Sequence, residues 1–143
     1  MIKIIGQSEK NIEYSVVYNQ SAKVLNIDSN CMDDDCMPHR ESINCMTWLD
    51  NDNRLCEIEC IYPVYANHFK NWIGSETKSK EIVPKFMVEF EDKSVEIMLE
   101  HSQLVLIFNN EKVADKIYST SNCVFYVEGD ELVAIVCKNF VLV

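Results

Sequence analysis

Residues 43–63, INCMTWLDNDNRLCEIECIYP, decide how this chain is read, because the stretch occurs twice. Its echo is residues 121–140, SNCVFYVEGDELVAIVCKNF. With one residue removed at the turn, Asn44 meets Asn122, Cys45 meets Cys123, Trp48 meets Tyr126 and Asp50 meets Glu128. Past the turn, Leu55 meets Leu132, Ile58 meets Ile135 and Cys60 meets Cys137. Each copy is an apolar run, an acidic polar turn and a second apolar run, which is the sequence form of a β-hairpin. An internal repeat constrains architecture more strongly than any single residue does.

Outward from this hairpin, side-chain period two places Cys56, Ile58 and Cys60 on one face of the returning strand and Glu57 and Glu59 on the other. Upstream, residues 1–7 form a short apolar start suited to an edge strand. Residues 13–18 (EYSVVY) and 22–27 (AKVLNI) flank a turn at 19–21 and predict a first hairpin. Residues 28–41, DSNCMDDDCMPHRE, have loop chemistry. Residues 64–74 (VYANHFKNWIG) are the best helical candidate, because Val64, Ala66, Phe69, Trp72 and Ile73 fall near helical intervals and Gly74 suits a helix stop. The polar segment SETKSKE connects the halves. In the second half, residues 86–90 and 95–99 predict a hairpin answering the first. Residues 104–108 and 113–118 predict another, and 123–127 with 132–138 the repeat hairpin, turned by Gly129 and Asp130. The apolar tail 140–143 is expected to dock on a sheet edge or a second copy of the chain. The expected fold is therefore mainly β: antiparallel, hairpin-rich sheets from two related halves, residues 1–63 and 84–143. A short helix and connector over 64–83 joins them, with one shared or two adjoining cores.

Two blocks of the first half resemble a family of small bacterial β domains of unknown function. Its signature is Tyr-Asp-x-x-Ala-Asp-x-Leu-Tyr-Ile, then Asp-x-x-Gly-x-Leu-x-Gly-Ile-Glu-Ile. Here YNQSAKVLNI keeps Tyr18, Ala22, Leu25 and Ile27, and DNDNRLCEIECI keeps Asp50, Leu55, Ile58 and Glu59. Asn53 stands where the signature has Gly, and it tolerates a left-handed backbone almost as glycine does. FEDKSVEIML and EGDELVAIVC carry the same shape in the second half. The resemblance implies a tandem duplication with a compact, mainly antiparallel β fold, and transfers no catalytic residues.

The chain's 143 residues fit one globular domain or two small halves sharing a core. At 48% hydrophobic residues, with 3 Gly and 3 Pro, it has enough apolar material to fold. No apolar run nears the roughly 20 residues that span a bilayer, and the first residues lack a signal-peptide core. A soluble cytoplasmic protein is the expectation. The 7 cysteines are odd in number and sit mostly at strand-core positions, so they read as thiols in a reducing compartment. Formal charge is −10. It divides as 5 basic and 11 acidic residues over 1–63, against 5 and 10 over 84–143. Such a field repels nucleic-acid phosphates and accelerates association with basic proteins. The same charge also serves solubility.

No motif for catalysis stands out. There is no Gly-rich phosphate loop, and His39, His68 and His101 have no thiol or hydroxyl partner at a motif distance. Glu57, Glu59, Glu89 and Glu91 form i, i+2 pairs typical of solvated strand faces rather than of acid–base chemistry. Cys31, Cys36 and His39 lie close enough in sequence to approach a zinc site, although the spacing is not a standard one. Cys56 and Cys60 are about 13 Å apart along a strand, too far to share one ion or a disulfide. The recurrence of Cys45, Cys60, Cys123 and Cys137 suits packing. Trp48 and Tyr126 are either core residues or aromatic anchors. As anchors they would be rimmed by Asp50, Asp52, Glu57 and Glu59 in one copy and by Glu128 and Asp130 in the other.

The expected function is a non-enzymatic, cofactor-free acidic binding protein. The best candidate is an immunity protein or antitoxin that occludes the active site of a basic bacterial nuclease toxin. A homodimer through the C-terminal strand is a further expectation. A structural β domain and a metal- or thiol-binding protein built on the 31–39 loop are the alternatives.

Overall fold

The computed structural model describes residues 1–8, 11–71, 80–100 and 102–143. Among these the chain is all β, with no helix. The first half holds β1 (Ile2–Ser8), β2 (Tyr14–Asn19), β3 (Val24–Ser29), β4 (Met37–Ser42), β5 (Cys45–Leu49), β6 (Leu55–Ile61) and β7 (Val64–Tyr65). A two-residue strand, β8 (Lys80–Glu81), precedes β9 (Val83–Val88), β10 (Glu96–Glu100) and β11 (Gln103–Ile107). The chain then runs through β12 (Lys116–Ser119), β13 (Cys123–Glu128), β14 (Glu131–Cys137) and β15 (Val141–Leu142).

The duplication extends well beyond the repeat hairpin. One sheet has the order β15-β2-β3-β6-β5-β4 and the other contains the path β7-β10-β11-β14-β13-β12-β8. Strands β2 to β6 thus repeat as β10 to β14 in the same pairing order. The two short strands that follow the repeat hairpins are exchanged. β7, from the first half, pairs in parallel with β10, and β15, from the second, pairs in parallel with β2. β1 and β9 pair antiparallel with each other. Lys3 on β1 meets Glu131, and Lys85 on β9 bridges to Arg54, the residue at the matching position of the first repeat.

Inside the hairpins the match reaches single residues. Cys45 lies opposite Cys60 in one ladder and Cys123 opposite Cys137 in the other. All four are buried, and the second pair has its sulfurs 3.9 Å apart. Each hairpin has its register shift at the same place, between Trp48 and Leu49 and between Tyr126 and Val127. Asn53 and Gly129 turn the tips with φ of 61° and 63°. Asn53 thus takes the left-handed conformation its side chain tolerates.

One core joins the sheets. Tyr18, Leu25, Ile27, Ile58 and Cys60 of the smaller sheet share a buried cluster with Ile97, Leu104, Leu106, Phe125, Ile135 and Cys137 of the larger. Phe86 of β9 stacks against Phe125, and Tyr14 meets Phe125 edge-on at 6.0 Å. The outer face of the larger sheet carries a second cluster, in which Phe69 packs on Tyr126, Val105, Val124 and Val133. This explains why β13 and β14 read as apolar on both faces: both faces are covered.

The two asparagines of the repeat tie the sheets together. Val95 donates its backbone N–H to Asn44 Oδ1 at 2.8 Å, and Asn44 Nδ2 donates to the Val95 carbonyl at 3.2 Å. Asn122 Nδ2 reaches the carbonyl of Tyr14 at 3.1 Å and that of Asn139 at 2.9 Å. Asn122 Oδ1 accepts the Asn139 N–H at 2.7 Å. Tyr14 and Val95 occupy corresponding places, each a buried residue at the start of its half's first repeated strand.

Several sequence expectations need correction. Residues 37–42 are a strand, β4, rather than loop. At the sheet edge a strand needs neither alternation nor every N–H, so Pro38 is tolerated. Residues 64–71 are not helical: Val64 and Ala66 donate to the Val95 and Ile97 carbonyls as β7 joins β10. Phe69 then turns onto the outer face, which imitates helical spacing. Residues 72–74 of the expected helix lie outside the described residues. The hairpin expected from 86–90 and 95–99 does not form, because β9 pairs with β1 and β10 pairs with β11. Residues 104–108 and 113–118 also separate, because β11 pairs with β10 and β14 while β12 pairs with β13. β1 is not an edge strand, since β9 and β14 both pair with it. Cys56 leaves the core face at the register shift and does not join the shared cluster of Ile58 and Cys60. The tail docks on a sheet edge as expected, with the Val143 N–H donating to the Tyr18 carbonyl at 3.0 Å.

Replacing Asn122 by alanine strands the buried Tyr14 carbonyl and frees both backbone groups of Asn139. We expect a loss of about 2–3 kcal/mol by urea denaturation, and a slightly smaller loss for Asn44→Ala, which is half-buried. Wild-type midpoints in both variants would show that the asparagines do not tie the sheets.

Candidate functional site

The outer face of the smaller sheet is built by cross-strand register. Trp48 lies opposite Glu57 and Pro38, and Glu57 lies opposite Asp28. In the next rung on the same face, Met46 lies opposite Glu59 and Arg40, and Glu59 opposite Asn26. Three carboxylates therefore form a stripe beside a half-buried Trp–Met pair. Arg40 stands on the far side, its guanidinium 5.2 Å over the Phe90 ring. Between the rungs and the sheet's end opens a groove of about 650 Å³ lined by Arg40, Ile43, Met46, Trp48, Ile61 and Tyr62. Ile43, Ile61 and Tyr62 are exposed there, Tyr62 by 66%.

The acidic stripe is under electrostatic stress. Partial burial, then the charges of Asp28 and Glu59, pushes the Glu57 carboxyl above its ordinary value. Like charges placed opposite each other across a ladder are destabilising.

The expected rim residues divide between this face and other surroundings. Asp50 is committed to its own turn. Its Oδ1 accepts the N–H groups of Asp52 and Arg54 at 2.9 Å, and its Oδ2 accepts Arg54 Nε at 2.7 Å. Burial tends to raise this carboxyl, but the bonds from Arg54 and Asp52 outweigh it and hold it below the usual carboxylate range. Asp52, 67% exposed at the tip, lies 3.7 Å from the Arg54 guanidinium. Tyr126 is buried, with its ring 5.7 Å from that of Phe69, and burial raises its hydroxyl pKa. It is core, not an anchor, because residues 66–71 cover the outer face of its sheet. Glu128 pairs with Lys112 at 3.4 Å, and Asp130 is exposed at the second hairpin's tip, where its carbonyl accepts the Ile4 N–H. The structure thus gathers Trp48, Glu57 and Glu59 and leaves Tyr126, Glu128 and Asp130 on the other sheet. Asp28, Met46 and the groove residues were missed by sequence reasoning. Pairing register is what adds them, and register is not written in any one strand.

The 31–39 loop also divides. Cys31 meets Cys56 of β6 with the sulfurs 2.8 Å apart, and Cys36 lies beside them. His39 does not join them. It is held in β4 opposite Thr47, whose hydroxyl donates to the His39 carbonyl at 3.1 Å. All seven cysteines are free thiols. Among the described residues no helix is long and apolar enough to cross a membrane.

Comparison with protein-family models and with curated proteins finds no match to this chain. The family resemblance therefore rests on the quoted blocks alone.

Because Glu57 is raised in the folded chain, folding takes up proton at this site. The contribution to stability is complete below the ordinary glutamate value and is lost as pH rises to the folded one. Glu57→Gln is expected to stabilise the protein by about 0.2–1 kcal/mol near neutral pH. The gain should vanish below about pH 4.3, as read from urea midpoints at the two pH values.

Proposed function

We propose that the chain is a non-enzymatic binding protein for a basic protein partner, engaged through the outer face of the smaller sheet. One observation carries this reading: Trp48 and Met46 adjoin a stripe of Asp28, Glu57 and Glu59, carboxylates that repel one another and make no ion pair among the described residues, Arg40 lying over Phe90 instead. A partner's lysine or arginine would supply the missing countercharge. The corresponding face of the other sheet is closed by Phe69, so the duplication left one covered face and one open one.

An immunity protein or antitoxin for a basic nuclease toxin fits this chemistry best. The carboxylate stripe would stand in for substrate phosphates, and Trp48 would anchor the complex in a desolvated pocket. The overall charge would steer encounter, giving fast and salt-sensitive association. A homodimer through the C-terminal strand would have to use the exposed side chains of Val141, Leu142 and Val143, since the backbone of β15 is already paired with β2.

The test is to search the neighbouring reading frames for a basic nuclease domain and titrate the purified chain with it, followed by calorimetry and stopped-flow. Trp48→Ala should cost the complex about 2–4 kcal/mol, mainly through faster dissociation. Glu59→Gln should chiefly slow association and flatten its dependence on salt. Inhibition of the nuclease that is indifferent to both substitutions would place the interface elsewhere. Absence of any inhibition would leave a structural β domain whose charge serves solubility.

A further inference from the structure

Four of the seven cysteines are accounted for by the duplicated core pairs. The other three, Cys31, Cys36 and Cys56, have no cysteine counterpart in the second half, where Cys123 and Cys137 are the only two. At the register shift, Cys56 matches Val133, so packing at that position does not require sulfur. A β-bulge re-aims the side chain it displaces, and here it turns the Cys56 thiol out of the core toward the loop after β3. In that loop Cys31 places its sulfur 2.8 Å from that of Cys56. Cys36, beside them, donates its thiol to the Cys31 carbonyl and the Asp33 carboxylate, each at 3.5 Å. Donor atoms of Cys31, Cys56 and Asp50 all lie within 4.8 Å of one another.

We propose that Cys31, Cys36 and Cys56 form a binding site for one thiophilic d¹⁰ cation, Zn²⁺ or Cu⁺. Cys31 and Cys56, in contact, with Cys36 beside them, supply soft thiol ligands from a loop and a bulged strand, which these cations prefer over hard oxygen donors. Asp50 neighbours the site without being a primary ligand, because both its oxygens already accept hydrogen bonds from the Arg54 turn. The Asp50–Arg54 pair orients the hairpin tip beside the ion in the way an outer partner supports a metal centre. A cleft of about 390 Å³, lined by Cys31, Asp33, Asp35, Asp50 and Asp52, opens Cys31 to solvent. Its carboxylates concentrate cations at the entrance. Each ligand thiol must give up its proton to bind the cation as a thiolate. Binding therefore releases one proton per thiolate formed, leaving a zinc tris-thiolate with charge −1 or a copper(I) tris-thiolate with charge −2. This site differs from the one expected within the 31–39 loop, because the bulge residue of β6 takes the place of His39. It is independent of the partner face around Trp48.

The test uses the whole chain, reduced with a phosphine and freed of metal. Cobalt(II) serves as an optical probe, competed with zinc, and a parallel arm delivers copper(I) against a chromogenic chelator. One equivalent should bind, with thiolate-to-cobalt charge-transfer absorption in the first arm. The competition identifies the preferred cation. Cys31→Ser, Cys36→Ser and Cys56→Ser should each weaken binding by more than the ~10–100-fold that loss of an outer partner causes. His39→Ala should leave it unchanged. If Cys56→Ser fails to fold, Cys31→Ser, at a partly exposed position, decides the question. Failure of both cations to bind stoichiometrically would overturn the site. So would binding that survives the serine variants, or a Cys31–Cys56 disulfide forming in place of metal uptake under mild oxidation.

Discussion

Asn44 and Asn122 hold the two sheets in register, and most of the architecture follows from where they sit. Each lies at the start of a repeat hairpin, and each spends its amide on backbone groups at the start of a strand in the facing sheet. Asn44 takes both polar groups of Val95 in the opposite half, and Asn122 takes the Tyr14 carbonyl. The two bonding patterns are not identical, since Asn122 also closes on Asn139. Both nevertheless fix the distance between the hairpin that bears them and the facing sheet. A hydrophobic core resists separation but is indifferent to sliding, whereas a directional bond across the core is not. The apolar cluster from Tyr18 to Cys137 fills the space that these amides define.

With so much shared, the differences between the halves carry the functional content. At the outer face, one half has Phe69 and a buried Tyr126, while the other has an open Trp48 beside three carboxylates. At the bulge, one half has Val133 and the other has Cys56. Both differences fall outside the shared core that joins the sheets. That is where a duplicated fold can change without losing stability.

The legible part of the sequence was the repeat itself. Its turn and its matched cysteines are local features, and local features survive in a one-dimensional reading. The partners of β1, β9, β10 and β12 were not legible, because alternation marks a strand and says nothing of its neighbour. β4 escaped notice because an edge strand with Pro38 lacks the pattern that burial imposes. The apparent helix over 64–74 arose from Phe69, which sits at helical spacing only because the chain crosses from one sheet to the outside of the other. Trp48 and Tyr126 looked equivalent in sequence. What separates them is a covering segment more than fifty residues from Tyr126, and neither hairpin records it.

The exchange of β7 and β15 has a consequence for how the protein is made. The edge of β2 closes only when residues 141–142 exist, almost the whole chain after β2 is synthesised. β10, in turn, receives a strand already made with the first half. Neither sheet can be completed from its own half, so a nascent first half carries an open edge until residues 141–142 have been made. Contacts so distant in sequence form late and slowly. The interval before closure is when this chain is most exposed to pairing with its neighbours.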